Sequence, residues 1–176
     1  MPHIFYLGGH ILFTGGLGLE KRNWKIYGIW IGITEAVGAL SGWLSRSGMK
    51  EYSQTVTQPP LSPPMWLFPV VWAILYALMG IGAARIWMSP ESLERKRGLN
   101  LFVAQLIVNF FWSLIFFELQ AFGFALVWLV LLWVLVAWMI FTFLKVDPLA
   151  AWLQIPYLLW LTFAAYLTAA VWLLNG

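Results

Sequence analysis

Charged residues are absent from Tyr52 to Ala84, from Gly98 to Phe117, from Leu119 to Leu144 and from Pro148 to Gly176. Each run is long enough to cross about 30 Å of hydrocarbon, which takes roughly 20 residues at about 1.5 Å per residue. A fifth stretch, Ile26 to Ser45, carries a single acid, Glu35. Membrane-spanning strands would alternate apolar and polar residues in shorter segments. These runs do not alternate, so helices are the spanning structure.

The pattern predicts helices over about Ile26–Ser45, from Met65 towards Ala84, over Leu99–Phe117 and Phe122–Leu144, and from Asp147 to about Leu174. A tight turn, Glu118–Ala121, makes the third and fourth antiparallel neighbours. Asp147 followed by Pro148 reads as an N-cap with proline at the first helical position. Pro156, about two turns on, should kink the last helix and free a carbonyl for a neighbouring side chain. The connection Arg46–Pro64 ends in four prolines within six residues, so it is expected to be a stiff, extended lid or lead-in. The expected fold is therefore an all-α integral membrane bundle of five transmembrane helices over residues 26–176, preceded by an extension of uncertain structure over 1–25. Ile4–Leu19 is also charge-free but has five glycines in sixteen residues. It is expected to be membrane-associated or disordered, with a sixth crossing as the alternative.

Composition agrees: 62% hydrophobic and 10% charged residues leave too little polar surface for a soluble domain. The net charge of +3 is small and scattered, which argues against nucleic acid and is most informative about orientation. Lys21, Arg22, Lys25, Arg85, Arg95, Lys96, Arg97 and Lys145 fall on one side of a five-span topology, and Arg46 and Lys50 on the other. The positive-inside rule then puts the N-terminus in the cytoplasm. This bias, with no presequence evident, is expected to favour a bacterial cytoplasmic membrane over a mitochondrial one. The run Glu94–Arg97 reads as a solvated loop near anionic head groups.

Ordinary catalytic constellations are excluded from the core. There is no cysteine, both histidines (His3 and His10) precede the first helix, and Asp147 is the only aspartate, so neither a histidine metal site nor a serine triad is available. What remains is a set of polar and aromatic stripes. Gln105, Asn109, Trp112 and Phe116 share one helical face, as do Trp72, Tyr76, Met79 and Ala83; Trp152, Pro156 and Trp160 form a third stripe, with Tyr157 adjoining. Amides facing lipid cost energy, so Gln105 and Asn109 are expected to point inward. Two readings stay open: interhelical packing with the amides as hydrogen-bond glue, or a pocket for a flat apolar molecule with a few polar edges. Trp24, Trp43, Trp66, Trp87 and Trp172 lie near predicted helix ends, where belt anchoring is the natural role. Small residues at Gly28, Gly32 and Ala36, and at Gly38 and Gly42, allow close approach of a helix from within the protein or across a dimer. Glu35, ionisable inside a span, is a candidate for function or for a wet cavity or dimer seam.

The motifs Pro59-x-x-x-Pro63-Pro64-x-Trp66, Phe68-Pro69-x-x-Trp72-x-x-x-Tyr76-x-x-Met79-Gly80, Gln105-x-x-x-Asn109-x-x-Trp112-x-x-x-Phe116-Phe117, Asp147-Pro148-Leu149-Ala150-Ala151 and Pro156-Tyr157-x-x-Trp160-x-x-Phe163-Ala164 resemble, in order, those of the TspO/MBR family of tryptophan-rich sensory proteins, related to the translocator protein or peripheral-type benzodiazepine receptor. The likeness covers about Ile26–Asn175. It implies a five-helix bundle, commonly a homodimer, with a pocket closed by the proline-bearing loop, here Pro59, Pro63 and Pro64. The ligands it implies are tetrapyrroles such as protoporphyrin IX and haem, with no obligatory cofactor; some members bind cholesterol or benzodiazepine-type ligands. The implied ligand contacts are Trp72, Tyr76, Asn109, Trp112 and Trp160; the stripes add Gln105, Phe116 and Tyr157. Two departures stand out: no base follows Tyr157 or Tyr166 to complete a cholesterol-type pattern, and Thr168 replaces the asparagine usual near the end of the last helix. The leading expectation is a tetrapyrrole-binding membrane receptor or sensor. The alternatives are a light-driven porphyrin-degrading enzyme and a porphyrin or sterol transporter.

Overall fold

The computed structural model describes residues 16–176, with side chains from Asn23 onward. Residues 4–15, most of the doubtful charge-free stretch, lie outside the described part. Seven α-helices follow: α1 Gly16–Leu44, α2 Arg46–Thr55, α3 Leu67–Met88, α4 Leu93–Ser113, α5 Phe122–Leu144, α6 Pro148–Trp152 and α7 Ile155–Asn175, with a π-helical turn at Leu114–Glu118 closing α4. No strand occurs among the described residues. Four long apolar helical stretches, Leu67–Met88, Leu93–Glu118, Phe122–Leu144 and Pro148–Asn175, are fit to cross a bilayer, and α1 is the fifth helix of the bundle. α5 shows why the solvent must be lipid. Val127 and Phe141 are about two-thirds exposed, at 66% and 67%, beside exposed Val130, Leu131 and Val134. Such a continuous apolar face is stable only against hydrocarbon.

The helices form a ring in the order α1, α3, α6 with α7, α5, α4, closed by α4 on α1. Close approach of α1 and α3 depends on Gly80, where an added Cβ would sit 2.6 Å from the Ile31 Cα. At the same level the buried Thr34 hydroxyl donates to the Tyr76 carbonyl at 2.8 Å. The other glycines of α1 divide sharply. Gly38 lies against the Tyr76 ring, whereas a Cβ at Gly28, Gly32 or Gly42 would meet nothing within 4 Å.

Four segments differ from the sequence expectations. First, α1 starts at Gly16 rather than Ile26, because Glu20, Lys21, Arg22 and Lys25 do not stop a helix from extending beyond its apolar part. Second, the connection is not extended throughout, since Arg46–Thr55 is the helix α2. That stretch lacks proline and buries Gly48 and Tyr52 on one side; the Tyr52 ring packs against Phe116, Phe117 and Phe122, with centroids 5.4, 5.4 and 6.4 Å away. Burial pushes the Tyr52 hydroxyl above its ordinary range, which keeps it neutral. Third, α4 ends in a π-turn in which the Leu119 amide donates to the Leu114 carbonyl at 3.0 Å. The widened turn buries Ile115, Phe116 and Phe117 in succession. Fourth, the last helix is broken rather than merely kinked, at Leu153–Gln154. The Gln154 amide takes the Ala151 carbonyl at 3.0 Å, and its side-chain Nε2 donates to the Ala150 and Leu78 carbonyls, both at 3.3 Å.

Both helix ends fit the charge pattern. Asp147 caps α6, its carboxylate accepting from the Leu149 and Ala150 amides, and pairs with Arg85 at 2.8 Å. At the opposite end Glu118 accepts from the Gly48 amide and the Ser47 hydroxyl, each at 2.8 Å, fastening α2 to the π-turn.

Candidate functional site

A cavity of about 390 Å³ opens between α1, the start of α2, α3 and the end of α4. Trp72 and Tyr76 on α3 face it one turn apart, with ring centroids 5.4 Å from each other and planes 31° apart. Phe68 and Pro69, a turn earlier, extend the same wall. Trp112 and Phe117 supply the α4 wall, and Phe116 stacks behind Trp112 at 5.2 Å and 20°. The α1 wall carries Glu35, Gly38, Ala39, Ser41 and Gly42, and Met49 of α2 adds an adaptable apolar contact. Lining residues Ala39 and Gly42 on α1 and Pro69 and Ala73 on α3 are exposed on the outer surface, so the cavity has a sideways mouth between these two helices.

The eight candidate residues sort into three groups. Trp72, Tyr76 and Trp112 line the cavity directly. Gln105, Asn109, Phe116 and Tyr157 are buried but do not line it. Three of those make one polar network: Asn109 Nδ2 donates to the Tyr157 hydroxyl at 3.0 Å, and that hydroxyl donates to Gln105 Oε1 at 3.0 Å. Gln105 Nε2 reaches Met79 Sδ at 3.8 Å. The Tyr157 ring meets Trp72 edge-on at 6.1 Å, joining the network to the cavity wall. Trp160 is half-buried outside the cavity and packs on Phe68 at 5.9 Å. Its expected stripe-mates Trp152 and Pro156 face outward. The buried face of α7 is instead Tyr157, Leu161, Ala164, Thr168 and Val171.

The proline loop does not line the cavity. Pro59 is buried, Pro63 half-buried and Pro64 exposed. The loop is tied instead to α7, where Asn175 accepts from the Thr57 amide at 2.9 Å and donates to its carbonyl at 3.0 Å. The Tyr166 hydroxyl donates to the Pro60 carbonyl at 3.3 Å. Sequence reasoning missed Met49, Phe68 and Phe117 as cavity residues. Phe68 had a signal, since Phe68, Trp72 and Tyr76 are spaced i, i+4, i+8.

Chemically the cavity is an aromatic slot with few polar atoms. The Trp128 indole donates to the Val108 carbonyl at 2.8 Å and Trp133 to the Thr162 hydroxyl at 2.9 Å, but the Trp112 indole N–H is buried without an acceptor. Among the described residues no cluster of His, Asp, Glu and Cys could hold a metal. The arrangement suits noncovalent binding of a flat ligand more than acid–base chemistry.

Comparisons with known proteins agree with this architecture. The family model described as "TspO/MBR family" matches residues 30–173. The tryptophan-rich protein TspO of Chlorobaculum tepidum is 36% identical over 82% of this chain and 92% of its own. The translocator protein of Sus scrofa is 38% identical over 77% of this chain and 84% of its own. The tryptophan-rich sensory protein of Cereibacter sphaeroides is 33% identical over 71% and 77% respectively.

Proposed function

Because this chain belongs to the TspO/MBR family, an integral-membrane family with members named as translocator and sensory proteins, we propose that it is a receptor or sensor that binds a tetrapyrrole such as protoporphyrin IX or haem in the cavity between α1, α3 and α4. The observation that carries this reading is the pair of aromatic walls, Trp72 and Tyr76 on α3 and Trp112 on α4, in a cavity of about 390 Å³. A macrocycle stacked there gains apolar burial and ring–ring contact at once. Gln105, Asn109 and Tyr157, locked together behind Trp72, hold that wall rigid, while Phe116 does the same for Trp112. Trp160 supports Phe68 from outside, and the loop Pro59–Pro64 braces the same end of the bundle.

Titrating the purified protein with protoporphyrin IX is expected to quench tryptophan fluorescence saturably. Trp112→Ala should weaken binding about tenfold, the scale of one lost aromatic contact of about 1–1.5 kcal/mol. Quenching that never saturates, or an unchanged affinity in Trp112→Ala, would refute the assignment.

We also infer a bacterial cytoplasmic membrane with a cytoplasmic N-terminus, supported by the basic residues at the Arg85–Asp147 end. A homodimer packed through α1 is inferred from Gly28 and Gly32, whose small surface faces open space. Native mass measurement of the detergent-released particle is expected to give twice 20.1 kDa; a monomer at every concentration tested would exclude the dimer.

A further inference from the structure

Glu35 is half-buried in the α1 wall of the cavity, nine residues before the end of α1 at Leu44 and so about 13 Å along the axis from it. Among the described residues the ion pairs are Arg85–Asp147 and Arg95–Glu91, and no hydrogen bond engages the Glu35 carboxylate. No Lys, Arg or His lines the cavity. Trp72, Tyr76 and Trp112 line the same cavity, and the face of an aromatic ring attracts a cation rather than an anion. A ligand whose polar end is a carboxylate meets no base here, only the carboxyl group of Glu35. A ligand whose polar end is a protonated nitrogen meets both a carboxylate and aromatic faces.

We propose that the α1 side of the cavity is an amine subsite: Glu35 pairs with the protonated nitrogen of a flat aromatic amine whose rings lie against Trp72, Tyr76 and Trp112. Binding is noncovalent: the protonated nitrogen and the Glu35 carboxylate form an ion pair, and no covalent bond is made or broken. The inference rests on the reading of this cavity as a ligand site but not on that ligand being a tetrapyrrole. It assigns a selectivity for charge that the aromatic walls alone do not provide.

Two probes with matched three-ring bodies test it: 9-aminoacridine, cationic at neutral pH, and 9-anthracenecarboxylate, anionic. Calorimetric titration of the full chain in an uncharged maltoside detergent is expected to show the amine binding at least about tenfold more tightly, the scale of one charge-assisted hydrogen bond. Glu35→Gln should bring the ratio of the two affinities close to one, and Glu35→Asp should preserve a preference for the amine. Equal affinities in the wild-type protein overturn the proposal without any variant, as does a Glu35→Gln protein that weakens both probes alike. Protoporphyrin IX titrated into the same preparation reads the tetrapyrrole assignment separately. Amine selectivity without saturable protoporphyrin quenching sinks that assignment and leaves this one standing, and the reverse result does the opposite.

Discussion

Gly80→Leu is expected to detach α1 from α3 and leave no single folded species in detergent. The Cβ alone would lie 2.6 Å from Ile31 Cα and 2.8 Å from Ile31 N, and 2.9 Å from Thr34 Oγ1. The first two are backbone atoms of a packed helix, so no rotamer change relieves the clash. Moving α1 outward would also break the 2.8 Å hydrogen bond from Thr34 to the Tyr76 carbonyl and open the cavity beside it. Overpacking commonly costs about 1–3 kcal/mol where side chains can yield. Here the backbone must yield, and the loss approaches the roughly 5–15 kcal/mol that holds a domain together. Thermal unfolding followed by size exclusion is the measurement, with Val127→Leu as the control, since Val127 is 66% exposed on the outer face of α5. A Gly80→Leu protein that elutes and melts like the wild type would disprove this account of the α1–α3 contact.

The second large effect is expected from Tyr157→Phe. One hydroxyl joins Asn109 to Gln105, and all three side chains are at most 1% exposed. Removing it leaves a buried amide donor and a buried amide acceptor unpartnered, which costs about 1–3 kcal/mol when no water replaces the lost group. Interhelical hydrogen bonds in membranes average nearer about 0.6 kcal/mol because the separated helices find other partners. The higher figure applies here, since two bonds fail together. Adding Gln105→Leu and Asn109→Leu to Tyr157→Phe removes the stranded groups and is expected to recover most of the lost thermal stability. If the triple variant is no more stable than Tyr157→Phe alone, the network is not what stabilises this interface.

Much of the bundle was legible in the sequence because the bilayer imposes a length and a polarity that a chain cannot disguise. α5 spans Phe122–Leu144 as expected, bounded by a tight turn and by the Asp147 cap. The stripe Gln105, Asn109, Trp112, Phe116 is buried in full because amides and indoles on one helical face have nowhere else to go. Other features escaped for reasons equally physical. α2 is short and polar, and its stability comes from Tyr52 meeting three phenylalanines distant in sequence. The π-turn is a change of backbone register, invisible to a count of side-chain spacing. It is also why Phe117, off the expected stripe, reaches the cavity. The Trp152–Pro156–Trp160 stripe reads as inward, but Trp152 and Pro156 lie on the outer face, and the buried stripe is Gln154, Tyr157, Leu161 and Ala164. Glu35 could be singled out as an acid inside a span, but only the folded arrangement of α1 against α3 and α4 puts it in one cavity with Trp72, Tyr76 and Trp112.

If the cavity is the ligand site proposed above, the opening between Ala39 and Gly42 on one side and Pro69 and Ala73 on the other sets where a ligand enters. A mouth on the flank of the bundle draws from the hydrocarbon rather than from the aqueous phase. The concentration that governs occupancy is therefore moles of ligand per mole of lipid. A compound that partitions strongly into bilayers reaches the site at high local concentration even when it is scarce in water, and diluting the vesicles at constant total ligand raises occupancy by enriching the lipid phase. Dissociation constants reported per litre would then drift with the amount of membrane in the assay, whereas constants expressed as a mole fraction would not.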